Sequence, residues 1–481
     1  MVKDLTVNDD TLAPPITPPA ATTNNKAPAA TTKSIITFIL VTTSIWLSES
    51  ILSLIDTSTV GLSATSINEL AALGPATMMI DSLLYLSAFL YTSTTNLLAS
   101  EKAACVVTIA DDEPPPTDCK PETSKVVSDA IGVALLIGAF ITATVNLFGS
   151  NLLLFFFSGN CGEFAKILPS AMKYCRIRSL VAPLSVVGIV AQAALLANGN
   201  KITPVLAVAT SALLNLVLDL VLVCVFKQGL AGAAIATALA NLGSTAVLAH
   251  RIRKDNSSTE KLSTIPNAKR LVELITFAGP IFGVMVGKLV SFSMLSLFAS
   301  NYGLLNLASH NILLKILFFF TTFGDSLSQV SQTYLPGVIA SNSKSNNLSL
   351  AGFLKISLLL SASFGAFCGC SSLFATKLGR LFTPSKAISS IMATCSKPML
   401  LSLILHPPVM LLEGLLISQR HLTFLLGSYV VSFATILLLL TNSSGLPSIW
   451  YSLVGFQCVR LAQFLFKSSP LLKRGFNGRN N

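Results

Sequence analysis

Residues 203–223 read TPVLAVATSALLNLVLDLVLV, and this stretch decides what kind of fold the chain can have. A helix of about 20 apolar residues spans the hydrocarbon core of a bilayer, so the stretch predicts a transmembrane helix. Asn215 and Asp219 interrupt it at a spacing that places both side chains on one helix face. A charge at that depth is costly and nearly always faces a cavity or a partner. The stretch therefore predicts a functional acid inside a helical membrane protein.

The composition extends this prediction to the whole chain. Of the 481 residues, 52% are hydrophobic and 11% are charged, whereas about 25% are charged in a typical soluble domain. The mean hydropathy is +0.71. These values exclude an ordinary soluble enzyme, a nucleic-acid-binding protein and a disordered scaffold. The net charge of +11 arises because acidic residues are few, 21 in all, and not from dense basic blocks.

Histidine and cysteine spacing argues against catalytic and metal sites. The four histidines (His250, His310, His406 and His421) are scattered and form no H-E-x-x-H pair. The nine cysteines include no pair of C-x2-C motifs, so we interpret them as small buried apolar residues. We therefore expect no enzyme, no metal and no cofactor other than a coupling ion.

Twelve apolar runs follow one another from Ser34 onward and predict twelve transmembrane helices. They lie near 35–60, 68–98, 126–149, 165–197, 203–226, 230–250, 271–299, 304–338, 351–375, 387–417, 421–441 and 447–467. Several exceed the length of a straight span, which predicts tilts or bends at Pro75, Pro183, Pro280, Pro336 and Pro407.

These spans divide the chain into two halves. We expect a disordered cytosolic tail over 1–33, an N-lobe of six spans over 34–250, a cytosolic linker over 251–270, a C-lobe of six spans over 271–468 and a cytosolic tail over 469–481. Most lysines and arginines outside the spans fall in segments that are inner if the N-terminus is cytosolic, as the positive-inside rule requires. The acidic loop 99–125 has no assigned role. The chain is predicted to be a multi-pass protein of the plasma membrane or of a plastid or vacuolar membrane.

Two pairs of stretches suggest that the halves are repeats. ELAALGPATMMIDS (69–82) resembles LNLASHNILLKIL (305–317), and QAALLANGN (192–200) resembles EGLLISQRH (413–421). Two six-span halves in the same orientation would be related by an axis along the membrane normal. The predicted fold is thus an all-α membrane protein with two pseudo-symmetric six-helix lobes around a central cleft.

Acids inside the N-lobe spans are the first candidate site. By helical rise, Asp56 and Asp219 lie roughly 6 and 10 Å from the outer ends of their spans, so they could share one pocket with Asn215. Glu49 lies two turns below Asp56 on the same face. Such carboxylates could take up and release a proton or a sodium ion. The alternative is that each is an inert, hydrogen-bonded acid.

Charges inside the other spans are candidates for the substrate cleft. Asp81 and Asp325 occupy the middle of spans two and eight, and Lys288 and Lys315 lie well inside spans seven and eight. Lys288 and Lys315 could attract an anionic solute, or a lysine could pair with an acid such as Asp325. Glu413 and Glu273 fall near inner span ends, where snorkelling or capping accounts for them.

Several strings together resemble the multidrug and toxic compound extrusion (MATE) family. They are LIDTSTVG (54–61) with ELAALGPATMMID, YCRIRSLVAP (174–183), the 203–223 stretch, GLAGAAIATALA (229–240), LASHNILLKI (307–316), GDSLSQVSQTYLPG (324–337) and LLEGLLISQR (411–420). GDSLSQ, LVGFQCVR (453–460) and Lys288 resemble the DinF-like branch, and particularly its plant plastid members, which export organic acids.

The resemblance implies twelve helices in two lobes and antiport, in which a solute leaves as protons or sodium ions enter. It implies that Asp56, Asn215 and Asp219 form the ion site of the first lobe. Glu49 departs from the family, because many members have a neutral polar residue there.

We therefore expect a monomeric secondary active exporter of small organic solutes, either xenobiotics or metabolites and including organic anions. The alternative is a flippase for a lipid or lipid-linked precursor, built on a related two-lobe architecture.

Overall fold

The structure, a computed structural model, describes residues 30–63, 67–110, 123–155, 161–255, 268–340, 348–374 and 386–477. Every regular element in these residues is helical. The helices are α1 (Thr32–Ser63), α2 (Ile67–Leu86), α3 (Ala88–Ala110), α4 (Thr123–Phe155), α5 (Cys161–Leu180), α6 (Ala182–Ala197), α7 (Ile202–Asp219), a π-helical segment (Leu220–Val225), α8 (Gly229–Asp255), α9 (Ala268–Ser300), α10 (Leu304–Ala340), α11 (Leu350–Ser372), α12 (Lys386–Thr394), α13 (Ser396–Ser418), α14 (Leu422–Thr441) and α15 (Leu446–Asn477).

These helices follow the predicted spans one after another. In the described part of the chain, ten segments are long and apolar enough to cross a membrane, and the bent pair α5–α6 makes an eleventh. Helix α1 is apolar over Thr32–Ser48, which is shorter than these segments. Two helices run well past their predicted ends, since α3 continues to Ala110 and α15 to Asn477. Residues 1–29, 111–122, 256–267 and 478–481, which belong to the predicted tails, acidic loop and linker, lie outside the described residues.

A sharp break between helices lies at one of the five predicted prolines. Helices α5 and α6 meet at Val181 with an angle of 50°, and Pro183 lies in the first turn of α6, where a missing N–H costs nothing. Pro75, Pro280, Pro336 and Pro407 lie within helices that continue through them. A further break, at Ser87 between α2 and α3, has no proline.

The helices pack as two bundles, which we call the N-lobe (α1–α8) and the C-lobe (α9–α15). In the N-lobe α4 packs on α6, α2 on α5, and α7 on α8, around a core rich in alanine and valine. In the C-lobe the central helix is α13, which packs on α10, α11 and α15. Glycines permit the closest approaches, because a Cβ on Gly414 of α13 would lie 2.4 Å from the Ser328 carbonyl oxygen of α10.

The two lobes meet along the end of the molecule where α1 begins, which we call the inner end and which is predicted to be cytosolic. The described cross-lobe hydrogen bonds join Leu348 N to Ala30 O (2.9 Å), Tyr334 OH to Ser34 O (3.4 Å), Thr43 Oγ1 to Ser326 Oγ (2.8 Å) and Tyr91 OH to Gln329 Oε1 (3.0 Å). Since α1 and α10 run antiparallel, the pairs at Ser34 and Thr43 mark about 13 Å of continuous contact.

Candidate functional site

Helix α7 separates a polar face from an apolar one. Buried residues recur every four positions along it, at Thr203, Ala207, Ser211, Asn215 and Asp219, and Pro204 in the first turn is buried as well. Leucines and valines between them, such as Leu213 and Val217, are exposed on the surface that would face lipid. The helix therefore carries its acid into the N-lobe and not toward the membrane.

Asp219 stands at the point where α7 changes geometry. Its side chain is completely buried, and the next residue begins the π-helical segment Leu220–Val225. Such π-turns inside α-helices are frequent at functional sites. One turn before Asp219, the Asn215 amide nitrogen donates to Thr237 Oγ1 of α8 at 3.4 Å, and its Oδ1 is buried with no hydrogen-bond partner among the described residues.

The backbone brings Asp56 close to this level. At the inner end the Lys201 ammonium, just before α7, donates to the Ser34 carbonyl of α1 at 2.8 Å. Helices α1 and α7 start there, run in the same direction and pack on each other. Asp56 then lies about 33 Å along α1 from Ser34, and Asp219 about 27 Å along α7 from Lys201. The side chains of Glu49, Asp56 and Glu273 lie outside the described residues.

The helices around Asp219 are poor in cations. The sequence has no lysine or arginine between Lys33 and Lys102, which covers α2 and all of α1 beyond its first turn, and none between Lys201 and Lys227, which covers α7. Helices α1 and α8 both pack against the π-helical segment that follows Asp219, and the basic residues of α8 are confined to its inner end. A buried carboxylate in this setting is suited to take a proton or a small cation, because both stabilise it in a low dielectric.

In the C-lobe the central acid is Glu413 of α13, which is 1% exposed. It accepts hydrogen bonds from Lys288 Nζ (2.7 Å), Arg460 NH2 (2.5 Å) and the Tyr429 hydroxyl (2.7 Å). Arg460 also donates to the Tyr429 hydroxyl and lies over its ring. We call Lys288, Glu413, Tyr429 and Arg460 the C-lobe cluster. Two cations share one carboxylate here, so Glu413 is held as an ion by built-in partners.

A polar chain leads from this cluster toward the lobe interface. Arg460 NH1 donates to Gln457 Oε1 at 3.1 Å, and Gln457 Nε2 lies 3.3 Å from His406 Nδ1. His406 Nε2 is 3.8 Å from Asp325 Oδ1, and the Asp325 side chain is 43% exposed. Gly324 makes room for the imidazole, because a Cβ there would lie 2.5 Å from His406 Cδ2. This row of polar side chains thus connects the buried C-lobe cluster to the accessible carboxylate of Asp325.

Helix α2 faces this chain from the N-lobe. Its exposed positions Gly74, Met78, Asp81 and Tyr85 recur at helical spacing, and the Tyr85 hydroxyl interacts electrostatically with Asp325, Glu413 and Arg460. The Tyr85 end of this exposed face is therefore turned toward the C-lobe. The Asp81 side chain is 56% exposed and pairs with Arg178 of α5 at 3.4 Å.

The structure brings some predicted cleft residues together and separates others. Lys288 does not pair with Asp325, as one interpretation of the sequence had it; its partner is Glu413. Glu413 is not a snorkelling residue, because it is buried at the centre of the C-lobe. Lys315 is exposed on α10. Among the described side chains, no group of three His, Cys, Asp or Glu residues could hold a metal ion.

No family model matches the chain, but it is similar to known proteins over most of its length. It is 29% identical over 442 residues, 90% of the chain and 77% of the relative, to Protein DETOXIFICATION 47, chloroplastic, of Arabidopsis thaliana. It is 27% identical over 424 residues, 86% of the chain and 78% of the relative, to Protein DETOXIFICATION 44, chloroplastic, of the same plant.

A solved structure settles the fold. The Vibrio cholerae MATE transporter VcmN, in its bent form, superposes with a TM-score of 0.73 at 18% identity, covering 92% of this chain and 98% of that one. The chain has the MATE fold. It is a multi-pass membrane protein related to the chloroplastic DETOXIFICATION proteins. The solved structure that shares its fold is that of a transporter, which agrees with the expectation from the sequence that the chain is not an enzyme. In this MATE fold, the N-lobe acid and the C-lobe cluster are two buried charged sites, one in each lobe.

Proposed function

We propose that the chain is a secondary active exporter, which moves small organic solutes out in exchange for protons or sodium ions. The observation that carries this proposal is the N-lobe site. Asp219 and Asn215 are buried on the polar face of a helix whose other face is apolar, and the helices around them are poor in cations. A carboxylate and an amide oxygen suit a proton or a sodium ion, both of which are hard and small. The proposed ligands are Asp56, Asn215 and Asp219, with Glu49 as an additional acid.

Ion binding can drive transport only if it stabilises one arrangement of the lobes over another. Asp219 lies where α7 passes into the π-helical segment, and α1 packs on both. Neutralising the carboxylate removes the need to hydrate it, which changes the most favourable packing of these helices. The inner end is closed in this structure, so we interpret the arrangement as the one that receives ions from, and releases solute to, the outer side.

The solute would bind between the lobes, where both faces carry polar groups. Asp81 and Tyr85 line the N-lobe face, and Asp325 lies opposite them, with Lys315 exposed on the same helix. Lys288 does not reach the cleft directly but sets the charge of the cluster behind it. Acids would favour a cationic solute and Lys315 an anionic one, and both classes belong to the proposal.

The remaining details extend this proposal. We place the chain in the DinF-like branch on the strength of GDSLSQ, LVGFQCVR and Lys288. We favour a plastid membrane, because the names of its DETOXIFICATION relatives include "chloroplastic". We expect a monomer.

The test is solute efflux from proteoliposomes. The full chain is reconstituted in vesicles preloaded with an aromatic cation, ethidium, or an aromatic carboxylate, benzoate, and an inward pH or sodium gradient is imposed. We expect one gradient to accelerate efflux of at least one solute over protein-free vesicles. Efflux equal to that of protein-free vesicles under both gradients, with both solutes, would contradict the proposal. Gradient-independent scrambling of a labelled phospholipid would instead favour the flippase.

A further inference from the structure

An uncharged polar surface lies buried between the lobes. Helix α3 contributes Tyr91 and Thr95, and helix α10 contributes Ser326, Gln329, Gln332 and Thr333. We call these six residues the polar belt. All of them are buried, although they lie in segments that cross the membrane. Such residues need a reason to be there, because a polar group buried without a partner is unfavourable.

The belt belongs to the inner half of the interface. Tyr91 bonds Gln329 across the lobes, and Ser326 bonds Thr43 of α1. Helices α3 and α10 both run toward the inner end, so one turn further inward Thr95 comes to the level of Thr333. One residue past the belt, Tyr334 meets the Ser34 carbonyl at the start of α1. From the Thr43–Ser326 contact to the inner end, the residues of the belt are buried and water does not reach them.

Much of its hydrogen-bonding capacity is unused in this arrangement. Thr95 Oγ1, Gln332 Oε1 and Thr333 Oγ1 are buried and have no hydrogen-bond partner among the described residues. Each such atom costs about 1–3 kcal/mol. Polar residues often bond across helix interfaces in membranes, but within the described residues the belt does so only through the Tyr91–Gln329 and Thr43–Ser326 bonds. Association of the helices in this state therefore accounts for only part of the belt.

We propose that the polar belt is the wall of the inward-facing half of the transport path. When the lobes part at the inner end, water and the solute satisfy the groups that are orphaned here. The belt offers hydroxyl and amide groups and no charge, so it can be buried again without stranding an ion. It would accept solutes through their hydrogen-bonding groups, whereas the outer half of the cleft presents the carboxylates of Asp81 and Asp325. This inference rests on the proposed export function.

The test uses single cysteines and a reversible lock. Thr95→Cys or Thr333→Cys is placed in a cysteine-free background of the full chain in nanodiscs and exposed to a charged methanethiosulfonate reagent. Thr43→Cys with Ser326→Cys provides the lock, because their hydroxyls are 2.8 Å apart across the lobes. Thr333 lies about 10 Å along α10 from Ser326, too far for a mispaired disulfide. Disulfide formation is verified by peptide mass, and labelling after denaturation in SDS gives the total.

Two control positions calibrate the labelling. Phe140→Cys lies on the exposed surface of α4 that would face lipid, and it gives the baseline rate. Met78→Cys lies on the exposed face of α2 and should label whether or not the lock is closed. We expect the belt positions to label above baseline when the lock is open, and at least about tenfold more slowly when it is closed.

Two results would overturn the proposal. Labelling at the Phe140→Cys baseline with the lock open would mean that the belt stays packed. Labelling above baseline that the lock does not slow would mean that water reaches the belt in the closed state. Because the measurement needs no gradient and no solute, it separates failure of this inference from failure of ion-driven export.

Discussion

The two lobes each bury a carboxylate completely, but they surround it differently. Glu413 in the C-lobe touches two cations and a tyrosine hydroxyl, all within 2.7 Å. Asp219 in the N-lobe has the Asn215 amide one turn away, and it lies among helices that are poor in lysine and arginine. Burial alone thus does not identify an ion-coupling acid. What distinguishes the two is how much positive charge the surrounding helices supply.

The difference assigns separate roles to the lobes. A carboxylate that is held by Lys288 and Arg460 keeps its negative charge. It therefore does not bind and release a proton during the transport cycle. A carboxylate among helices that are poor in cations can change state with each ion that arrives. We therefore expect the N-lobe to respond to the gradient and the C-lobe to keep a constant charge pattern. Four experiments test this comparison.

The largest effect is expected from Asp219→Asn. The substitution preserves shape but removes the charge that an ion would neutralise, so gradient-driven efflux should fall to the rate of protein-free vesicles. Asp56→Asn should do the same. Asp81→Asn is the matched comparison, because that acid is half-exposed, paired with Arg178 and placed in the solute cleft. It should change the rate or the choice of solute but keep the response of efflux to the ion gradient. Full transport by Asp219→Asn would contradict the coupling role.

The next largest effect concerns folding rather than coupling. Glu413→Gln leaves Lys288 and Arg460 as buried cations without a counter-charge, and breaking a buried ion pair costs about 3–5 kcal/mol. Thermal unfolding in nanodiscs should show a much lower midpoint. Lys288→Met should cost less, since Arg460 and Tyr429 still hold the carboxylate. Equal midpoints for wild type and Glu413→Gln would show that the cluster is not a stabilising ion centre.

Packing should be equally strict in the two lobes. A Cβ on Gly138 of α4 would lie 2.2 Å from Pro183 Cα, and one on Gly414 would lie 2.4 Å from Ser328 O. Either alanine should cost about 1–3 kcal/mol by forcing helices apart. Gly74→Ala and Gly427→Ala are the controls, because nothing lies within 4 Å of the added atom, and they should be neutral or stabilising. Tolerance of both tight substitutions would mean that the lobes are loosely packed.

The smallest effect is expected at Thr237, which orients Asn215. Thr237→Val removes the long 3.4 Å hydrogen bond, a loss of about 0.5–1.5 kcal/mol. The ion concentration for half-maximal efflux should therefore rise by up to about tenfold, with an unchanged maximal rate. Thr210→Val is the control, because that exposed hydroxyl bonds its own helix at the Leu206 carbonyl. A changed maximal rate without a change in half-maximal concentration would place Thr237 outside the ion site.

The sequence was sufficient where information lies within one helix. The spacing of Asn215 and Asp219 among leucines predicted a buried acid, and α7 confirms that side of the prediction. The apolar runs predicted the helices, and the bend at Pro183 follows from backbone chemistry. Pro75 and Pro336 did not interrupt their helices, because neighbouring packing can accommodate a proline within a membrane helix.

The sequence was insufficient where charges from distant helices meet. Lys288, Glu413 and Arg460 come from α9, α13 and α15, and nothing along the chain says which acid a lysine will find. Asp325 was as plausible a partner as Glu413. The one available signal was that opposite charges inside separate spans must be compensated somewhere. The sequence analysis was wrong about Glu413, which it interpreted as a snorkelling or capping residue because it lies near a predicted span end. The depth of an acid along a helix does not reveal which face of the helix it occupies.

The π-helical segment after Asp219 contains one residue more than an α-helical segment with the same number of turns would have. A π-turn holds one more residue than an α-turn, so its conversion to α geometry would advance the outer part of the span by about 1.5 Å and turn it by about 100°. The Asp219 carboxylate lies at the residue where this rotation and translation would begin. A change of charge at Asp219 that triggers this conversion would therefore move Phe226 and Lys227, which lie at the outer end of the helix.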